Sequence, residues 1–352
     1  MPYTVAVIGT GAHPDAKGEG FSMGYRHAEG YESHPDCELV ACADLVEENA
    51  EAFARAFDID EDGAFVDHRE LLATAEPDVV SVATPAASHE AVVADCAGAG
   101  VAAIHCEKPL AATWGACRTM AEVCDRRGVQ LTVNHQLRLV DAVERARELY
   151  RDGTIGTIER IELSRGDLLE RGIHQFDLAS YFAGDVPGEW VLAGLDYRHE
   201  DVRYGIHNEN QAIVHWQFEN GIHGLAATGA SATLVGCSLR LIGTDGTIEL
   251  GVEGGPGLRI RTDGEWESID VAGGAPVAPA IHHVVDALAT GETALLDAHN
   301  ALLGHELVFA AWESVRRRGR VDLPLEVEDN PLAAMVDAGE LSPRQPDDEG
   351  KP

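Results

Sequence analysis

Lysine is almost absent from this chain of 352 residues, which has 26 basic residues but only three lysines, at positions 17, 108 and 351. The 60 acidic residues outnumber the basic ones, and the formal net charge is -34. Because nucleic-acid binding needs clustered positive charge, this balance argues against a nucleic-acid partner. The short arginine run at 316–318 lies at the end of a predicted helix, where it complements the helix dipole.

Long apolar runs and paired cysteine motifs are also missing, and we expect no leader peptide. No segment reaches the roughly 20 apolar residues of a membrane span, and the chain enters a predicted strand directly after its first residues. We therefore expect a cytoplasmic protein with no membrane partner. The seven cysteines form no CxxC pair, so no metal site is predicted and most of them are expected in the cores.

The acidic surface is more negative than solubility alone requires. Self-repulsion of this kind is screened in concentrated salt, where the Debye length falls to about 3 Å at 1 M. We therefore expect the source to be a halophile.

The length and a hydrophobic fraction of 45% are sufficient for two domain cores. From residue 3 to residue 134, short β-rich apolar runs alternate with helical patterns, which predicts a doubly wound parallel sheet. The predicted strands cover residues 5–8, 39–43, 79–83, 101–106 and 131–133.

The second half of the chain has a different pattern. A helix at 141–151 is followed mainly by strands, at 158–164, 189–197, 211–218, 222–230, 238–242 and 247–250, with helices at 174–182, 281–288 and 301–317. Turns such as Glu219-Asn220-Gly221 join neighbouring strands as hairpins. The fold class is therefore α/β, with an N-terminal parallel sheet and a C-terminal α+β domain that has a large, mostly antiparallel open sheet. The expected domains are 1–137, 138–330 and an acidic tail, 331–352, that is disordered at its end.

Glycines follow the first predicted strand, in Gly9-Thr10-Gly11, and Asp44 ends the second. Such glycines let the backbone approach a pyrophosphate at a helix N-terminus, while the acid accepts hydrogen bonds from the adenosine ribose hydroxyls. A GxG pair can also mark an ordinary strand-to-helix turn, but the strand context and Asp44 favour a Rossmann domain. Asp44 would repel a 2'-phosphate, which favours NAD as the cofactor, although NADP stays possible.

The third glycine of this motif is displaced along the chain. If Ser22-Met23-Gly24 supplies it, residues 12–21 are an insertion whose role the sequence does not reveal. Without that insertion, the spacing to Asp44 is close to the roughly 20 residues expected for the motif. Met23 is then a further candidate cofactor contact.

Lys108 follows the apolar strand at 101–106, within Glu107-Lys108-Pro109. Arginine supplies nearly all the other positive charge but cannot release a proton near neutral pH, whereas a partly desolvated lysine can. The tripeptide could be a surface salt bridge before a helix-starting proline, but the scarcity of lysine favours a proton shuttle. Thr84-Pro85 and His89 follow the preceding strand and are predicted cofactor contacts at the same edge, although each could be an ordinary helix-start residue.

With these motifs in order, the sequence resembles the Gfo/Idh/MocA family of nicotinamide-dependent oxidoreductases over nearly its whole length. The resemblance rests on segments in family order: Gly9-Thr10-Gly11, Ala43-Asp44, the segment from Thr84 to His89, Glu107-Lys108-Pro109, the segment from Val133 to Arg138, Asp152 to Gly156, Gly172 to Tyr181, and the closing helix from Leu302 to Ser314. It implies that Lys108 lies beside the nicotinamide and the reacting hydroxyl, and that Glu107 belongs to the cofactor site.

The resemblance also implies a second catalytic element, an acid four residues before a histidine, which maps onto Glu170 and His174. Many relatives have aspartate where this chain has Glu170, and the two side chains could share a face if the helix begins early enough. His174 could instead be a core histidine. Asp177 is a candidate substrate ligand or a first-turn acid favoured by the helix dipole.

Asn134, His135 and Arg138 follow the last strand of the parallel sheet and are candidates to bind substrate hydroxyls or the nicotinamide. We expect Lys108 and His174 to exchange the hydroxyl proton, with Glu170 orienting His174 and Glu107 pointing away from Lys108. The predicted substrate is a sugar or cyclic polyol, and the resemblance implies a homodimer or homotetramer. An NAD-dependent glycosidase of the same fold and a non-catalytic dinucleotide-binding regulator remain alternatives.

Overall fold

The computed structural model describes residues 2–14, 22–255, 257–274 and 277–343. Its backbone divides into two units. The first comprises Met1–Ala111, Ala116–Gln136 and Ala275–His299, and the second comprises Ala112–Gly115, Leu137–Gly274 and Asn300–Pro352. The sequence predicts continuous domains with a boundary after residue 137, whereas Ala275–His299 belong to the first unit.

The strands occupy the following residues in chain order: β1 Tyr3–Ile8, β2 Cys37–Ala43, β3 Ala64–Phe65, β4 Val79–Val82, β5 Ala103–Cys106, β6 Gln130–Val133, β7 Ile158–Arg165, β8 Gly188–Asp196, β9 Val202–Arg203, β10 Ile206–His207, β11 Gln211–Phe218, β12 His223–Thr228, β13 Cys237–Gly243, β14 Thr247–Val252, β15 Leu258–Arg261, β16 Glu267–Ile269 and β17 Val321–Asp322.

The α-helices are α1 Met23–Glu32, α2 Glu47–Ala56, α3 His68–Ala75, α4 His89–Ala99, α5 Trp114–Arg127, α6 Asp141–Arg151, α7 Ile173–Phe182, α8 Val277–Thr290, α9 Ala298–Arg317 and α10 Pro331–Asp337.

The first unit contains the parallel sheet that the sequence predicts, with strand order β3-β2-β1-β4-β5-β6. Every residue of β4 and β5 is buried, as expected of parallel strands that are covered on both faces. Helix α1 packs closely on α8, because a Cβ added at Gly30 would lie 2.9 Å from the Ile281 side chain. This sheet confirms the doubly wound α/β fold class and brings the carboxyl ends of its strands to one edge.

The second unit contains a nine-stranded sheet with order β16-β15-β14-β13-β7-β12-β11-β8-β17. Its neighbouring strands run antiparallel except for β7 and β12, so the predicted mostly antiparallel sheet is confirmed. The hairpin turn Glu219-Asn220-Gly221 joins β11 to β12 as predicted. Helix α7 packs against β7, and the ring centroids of Phe176 and Trp216 are 5.3 Å apart in the core between α7 and the sheet.

One face of this sheet carries a row of alternating charges on β7, β13, β14 and β15. The Arg240 Nη1 and Nε atoms lie 2.6 Å from the carboxylates of Glu162 and Glu249, and Arg259 Nε lies 2.6 Å from the second oxygen of Glu249. Toward β8 and β11 the same face exposes two large apolar side chains, Leu192 at 45% and Ile213 at 44%.

The tail that the sequence predicts begins with a short helix, α10. Helix α10 starts with Pro331 after Asn330, whose side chain accepts a hydrogen bond of 3.1 Å from the Ala333 backbone N, and it buries Leu332 and Met335. The disorder expected at the end of the tail falls on residues 344–352, which lie outside the described residues.

All seven cysteines are free thiols, and all but Cys37 are buried. None of the helices in the described ranges combines the length and the apolar character that crossing a bilayer requires.

Candidate functional site

The carboxyl ends of five parallel strands meet at one edge of the first unit. Ile8 of β1 pairs with Ala43 of β2 and with Val82 of β4, Val82 pairs with Cys106 of β5, and Cys106 pairs with Val133 of β6. The residues that follow these strands are therefore neighbours along this edge. The strand order reverses between β1 and β4, and open α/β sheets bind ligands at such a switch point.

The turn after β1 requires glycine at two positions. Gly9 has φ +87°, and a Cβ there would lie 2.7 Å from Thr84 Cγ2, while Gly11 has φ +67°. Gly24, in the first turn of α1, packs so closely that a Cβ would lie 2.8 Å from the Gly9 carbonyl oxygen. This is the close approach of helix to turn that the third glycine of the motif allows, so the turn fits a pyrophosphate at the start of α1.

The predicted insertion at 12–21 lies outside the described residues from position 15 onward. On its far side, Met23 is half-buried as the first residue of α1, and Thr10 is fully buried within the glycine turn. The predicted contacts of both with the cofactor stay predictions.

The Asp44 carboxylate links the ends of β1 and β2. Its Oδ2 accepts hydrogen bonds from the backbone N of Gly11 at 2.8 Å and from Thr10 Oγ1 at 3.2 Å, and its Oδ1 accepts from the Val46 backbone N at 2.9 Å. The negative charge expected from the sequence is therefore held directly beside the glycine turn.

The segment after β4 is fixed by a buried histidine. His89 has no exposed surface, and its Nε2 and Nδ1 lie 2.7 Å from the Thr84 carbonyl oxygen and 3.1 Å from the Leu110 carbonyl oxygen. Burial lowers the pKa of His89 despite the opposing effect of these carbonyls. His89 therefore connects the loop that begins with Thr84-Pro85 to the loop that contains Lys108. The cofactor contacts predicted for Thr84, Pro85 and His89 stay predictions.

The Glu107 side chain is buried in the first unit and accepts three hydrogen bonds. Its Oε1 lies 2.9 Å from His27 Nε2 and accepts a bond of 2.6 Å from Asn134 Nδ2, while its Oε2 accepts from the Lys108 backbone N at 3.0 Å. Burial alone would raise the pKa of Glu107, but His27, Asn134 and the charge of Lys108 outweigh it and lower the pKa to about 2. Glu107 is therefore ionised, and it fixes the backbone at the candidate catalytic lysine.

The buried polar residues beneath this edge were not predicted from the sequence. His27 Nδ1 lies 2.6 Å from Ser81 Oγ, and His105 Nδ1 lies 2.9 Å from Thr132 Oγ1, with all four side chains fully buried. Burial, with the charge of His27 adding to it, lowers the pKa of His105 to about 3. The available signal was a polar residue inside an apolar strand pattern, as at Ser81 and His105, because a buried polar group needs a partner.

Asn134 and His135 follow β6 at this edge, as predicted, and both are buried. Asn134 Nδ2 donates a hydrogen bond to Glu107. The substrate-binding roles of the two residues stay predictions.

In the second unit, His174 is the second residue of α7 and is half-buried. Because α7 begins at Ile173, Glu170 lies in the turn that precedes the helix. The helix therefore begins too late to include Glu170, and the expectation that helical spacing places Glu170 and His174 on one face is corrected. The catalytic roles assigned to both residues stay predictions.

Arg138 and Asp177 pair with each other in the second unit. Arg138 Nε and Nη2 each lie 2.8 Å from an oxygen of Asp177, and Nη2 also lies 2.9 Å from Asp185. Burial on its own would lower the pKa of Arg138, but the two carboxylates raise it. The predicted substrate ligands thus form a buried ion-pair cluster, which gives them a structural role, and their contact with substrate stays a prediction.

Two buried acids that were not predicted from the sequence accept hydrogen bonds from the turn before α7. Glu209 Oε1 accepts from the Leu168 backbone N at 2.7 Å, and its Oε2 accepts from Trp312 Nε1 at 3.2 Å. Asp167 Oδ1 accepts from the Arg171 backbone N at 2.7 Å. Burial, followed by the charge of Asp167, raises the pKa of Glu209 to about 8. These contacts fix the backbone of the turn that carries Glu170.

Within the described ranges, no three His, Cys, Asp or Glu side chains are grouped so that they could hold a metal ion.

Comparison with known proteins identifies the family. Residues 3–135 match a model described as an oxidoreductase family with an NAD-binding Rossmann fold, GFO_IDH_MocA, and residues 160–249 match the GFO/IDH/MocA C-terminal domain. Together the two models span more than half of the chain.

Curated relatives include the D-apiose dehydrogenase of Paraburkholderia graminis, which is 32% identical over 57% of this chain and 56% of the relative. The inositol 2-dehydrogenase of Rhizobium meliloti is 29% identical over 47% of this chain and 53% of the relative. The chain thus matches about half the length of these relatives. An aldose-aldose oxidoreductase from Caulobacter crescentus, solved with glycerol, shares the fold with a TM-score of 0.75 at 18% identity, over 92% of this chain and 100% of that one. The chain therefore belongs to the GFO/IDH/MocA family of NAD-binding oxidoreductases.

Proposed function

We propose that this chain is a dehydrogenase that oxidises a secondary hydroxyl of a sugar or cyclic polyol, or reduces the corresponding ketone, with NAD. The observation that carries the proposal is the position of Lys108. It follows β5 at the edge that also carries the glycine turn and Asp44, and its backbone is fixed by the buried carboxylate of Glu107. The names of the dehydrogenases among the relatives support the substrate class.

The residues that would hold NAD are those of the glycine turn together with Asp44. The turn fits a pyrophosphate because Gly9 and Gly11 adopt positive φ and Gly24 lets the start of α1 pack closely on the turn. The negative charge of Asp44 favours ribose hydroxyls over a 2'-phosphate, so we propose NAD rather than NADP. When bound, NAD supplies the acceptor for the hydride of the alcohol.

Oxidation of an alcohol also releases the hydroxyl proton, which the protein must accept. We assign this step to Lys108, whose amine can take the proton in oxidation and return it in reduction, unlike the arginines that supply most of the chain's positive charge. In this proposal His174 of the second unit is a second hydrogen-bonding partner of the reacting oxygen, and Glu170 orients His174.

We also propose a homodimer or homotetramer, as the resemblance implies, and a cytoplasmic location. The outward apolar side chains of Leu192 and Ile213 support an assembly, because apolar side chains grouped on an open sheet face gain stability when a partner covers them.

The test is a panel of aldoses, ketoses, inositols and glycosides incubated with NAD or NADP, with the reduced nicotinamide measured by absorbance and the products by mass spectrometry. We expect NADH to accumulate with at least one polyhydroxylated compound, and Lys108→Ala to lower kcat by about 10²- to 10⁴-fold. Lys108→Arg is the matched control, because it keeps the positive charge but cannot accept the proton.

Three outcomes would contradict parts of the proposal. Cleavage of a glycoside without net NADH would identify a glycosidase, and cofactor binding without turnover of any compound would identify a regulator. Full turnover by Lys108→Ala with a confirmed substrate would remove Lys108 from the mechanism.

A further inference from the structure

His27 is a buried residue that the proposed mechanism does not use. It is the fifth residue of α1, in the helix that follows the glycine turn, and it has no exposed surface. Its ring nitrogens face two other elements, Ser81 in β4 and Glu107 after β5. One side chain of α1 thus reaches the loop that contains the candidate catalytic lysine.

The direction of the hydrogen bonds follows from the chemistry of the partners. A carboxylate only accepts, so His27 Nε2 carries a hydrogen and donates to Glu107 Oε1 across 2.9 Å. The Asn134 Nδ2 atom also donates to Glu107 Oε1. Asn134 Nδ2 and His27 Nε2 are 3.2 Å apart, but both are donors, so no hydrogen bond joins them. His27 is therefore one of two side-chain donors to Glu107.

A buried carboxylate keeps its charge and its orientation only while its hydrogen bonds are satisfied. Glu107 is 7% exposed, and its three donors are His27, Asn134 and the backbone N of Lys108. If the His27 donor is removed, Glu107 takes up a proton or rotates toward another partner. In either case the acceptor that fixes the Lys108 backbone is weakened or displaced.

We propose that His27 is a positioning residue for Lys108, because it holds the Glu107 carboxylate in the orientation in which its Oε2 accepts the hydrogen bond from the Lys108 backbone N. The inference rests on the proposed role of Lys108 in proton transfer. Displacement of a catalytic group by about 1 Å can cost on the order of 10²-fold in rate, so a donor that contacts no substrate can still control turnover.

A purely structural role predicts a different result. His105 provides the comparison, because it is equally buried, its ring centroid lies 5.2 Å from that of His27, and it bonds to Thr132 rather than to Glu107. Thr132→Val removes that bond with little change of shape and leaves the donors to Glu107 intact. It is therefore the matched control for a general loss of stability in this part of the unit.

The first readout does not depend on activity. Because the chain has three lysines, protein labelled with ¹⁵N-lysine gives at most three lysine backbone amide signals, and Lys108→Arg identifies the signal of Lys108. We expect His27→Leu to shift this signal and to speed its exchange with solvent. His27→Gln, whose Nε2 can still donate to Glu107, should shift it less, and Thr132→Val should leave it in place.

The second readout is turnover with the substrate found by the panel. We expect His27→Leu to lower kcat by about 10- to 100-fold with little change in the Kd for NAD, and His27→Gln to recover most of that loss. Glu107→Gln should reproduce the effect of His27→Leu and carries the test if His27→Leu fails to fold. Thr132→Val should lower the Tm but not kcat.

The inference is overturned if the Lys108 amide is unmoved in both His27→Leu and Glu107→Gln, or if His27→Leu and Thr132→Val lose stability alike with normal kcat. Lys108→Ala, measured in parallel, separates this result from a failure of the proposed function. If Lys108→Ala keeps full turnover, the proposed catalytic role of Lys108 fails. If Lys108→Ala loses turnover while His27→Leu keeps it, only the positioning role of His27 fails.

Discussion

The Asp44 carboxylate has a structural role and a proposed role in cofactor selection. It joins the glycine turn to the end of β2 through bonds from Gly11 N and Val46 N, and it places a negative charge where a dinucleotide's adenosine ribose is expected. A phosphate on the ribose would bring a second negative charge close to this carboxylate, and partial burial weakens the screening of that repulsion.

We therefore expect Asp44→Asn to reduce the discrimination between NAD and NADP. Asparagine keeps one acceptor oxygen for the turn but removes the charge, so the ratio of the Kd for NADP to that for NAD should fall by at least about tenfold, equivalent to 1.4 kcal/mol. Isothermal titration calorimetry at a fixed salt concentration measures both constants without knowledge of the substrate.

Asp67→Asn is the control for this experiment. Asp67 caps α3 in the same unit by accepting from the Arg69 backbone N at 2.8 Å, so its replacement removes one charge while an acceptor remains. It should leave the ratio unchanged. An unaltered ratio in Asp44→Asn as well would mean that another group selects the cofactor.

Individual residues were predictable from the sequence where local context identified them. The glycine turn and Asp44 could be located because each follows a recognisable strand, and they occupy the predicted edge. The partners of a buried group are different, because they come from distant positions. His27 and Glu107 are 80 residues apart, and Arg138 and Asp177 are 39 apart, so no local pattern predicts these pairs.

Helix α1 shows how an element serves the site. Gly24 allows its first turn to pack on the glycine turn, and Gly30 allows it to pack on α8. The helix thus lies between the turn expected to meet the cofactor and a helix from late in the chain. Its position depends on two small residues rather than on its own helical propensity.

Gly24→Ala should disturb this packing. Its Cβ would lie 2.8 Å from the Gly9 oxygen and 2.9 Å from Thr10 Cα, so backbone atoms must shift and the turn must widen. We expect a loss of about 1 to 3 kcal/mol in the free energy of unfolding and weaker binding of NAD. Urea denaturation and calorimetric titration measure the two effects.

Gly98→Ala, in the same unit, should raise the free energy of unfolding, which is the opposite of the effect expected for Gly24→Ala. Gly98 lies in α4 with no atom within 4 Å of the added Cβ, so alanine should stabilise the helix by about 0.5 to 1 kcal/mol and leave NAD binding unchanged. Equal effects of the two substitutions would show that the close contact at Gly24 has no energetic importance.

Long periodic elements were predicted well from the sequence, and short ones were not. The predicted helix at 141–151 is α6, and the predicted strand at 211–218 is β11. Strand β3 has two residues and α10 has seven, too few for a periodic pattern to stand out. The predicted helix at 174–182 is α7, which begins one residue earlier, at Ile173, because helix ends are set by local hydrogen bonds that periodicity does not report.

At the scale of the whole molecule, the fold class was predictable but the division of the chain was not. Helix α8 joins the first unit through contacts with α1, including Ile281 against Gly30. Its apolar pattern shows that it packs on a core, but not which core. The formal charge of -34 is a further property of the whole chain, and it acts on any charged ligand.

We propose that this charge adapts the protein to concentrated salt, and we expect NAD to bind more tightly as salt increases. NAD is anionic, so the mean field of the protein repels it in dilute buffer. This repulsion fades as the Debye length falls from about 10 Å at 0.1 M to about 3 Å at 1 M. The Kd for NAD should therefore fall by up to about tenfold between 0.1 M and 1 M KCl, equivalent to 1.4 kcal/mol.

Adenosine separates this field effect from a change in the site itself. It carries no charge, so the repulsion does not act on it, and its Kd should change little over the same range of KCl. If both ligands bind more tightly to the same degree, salt acts by stabilising the folded unit rather than by screening. A Kd for NAD that stays constant or rises would contradict the electrostatic argument, because the repulsion that salt removes would then be absent at the binding site.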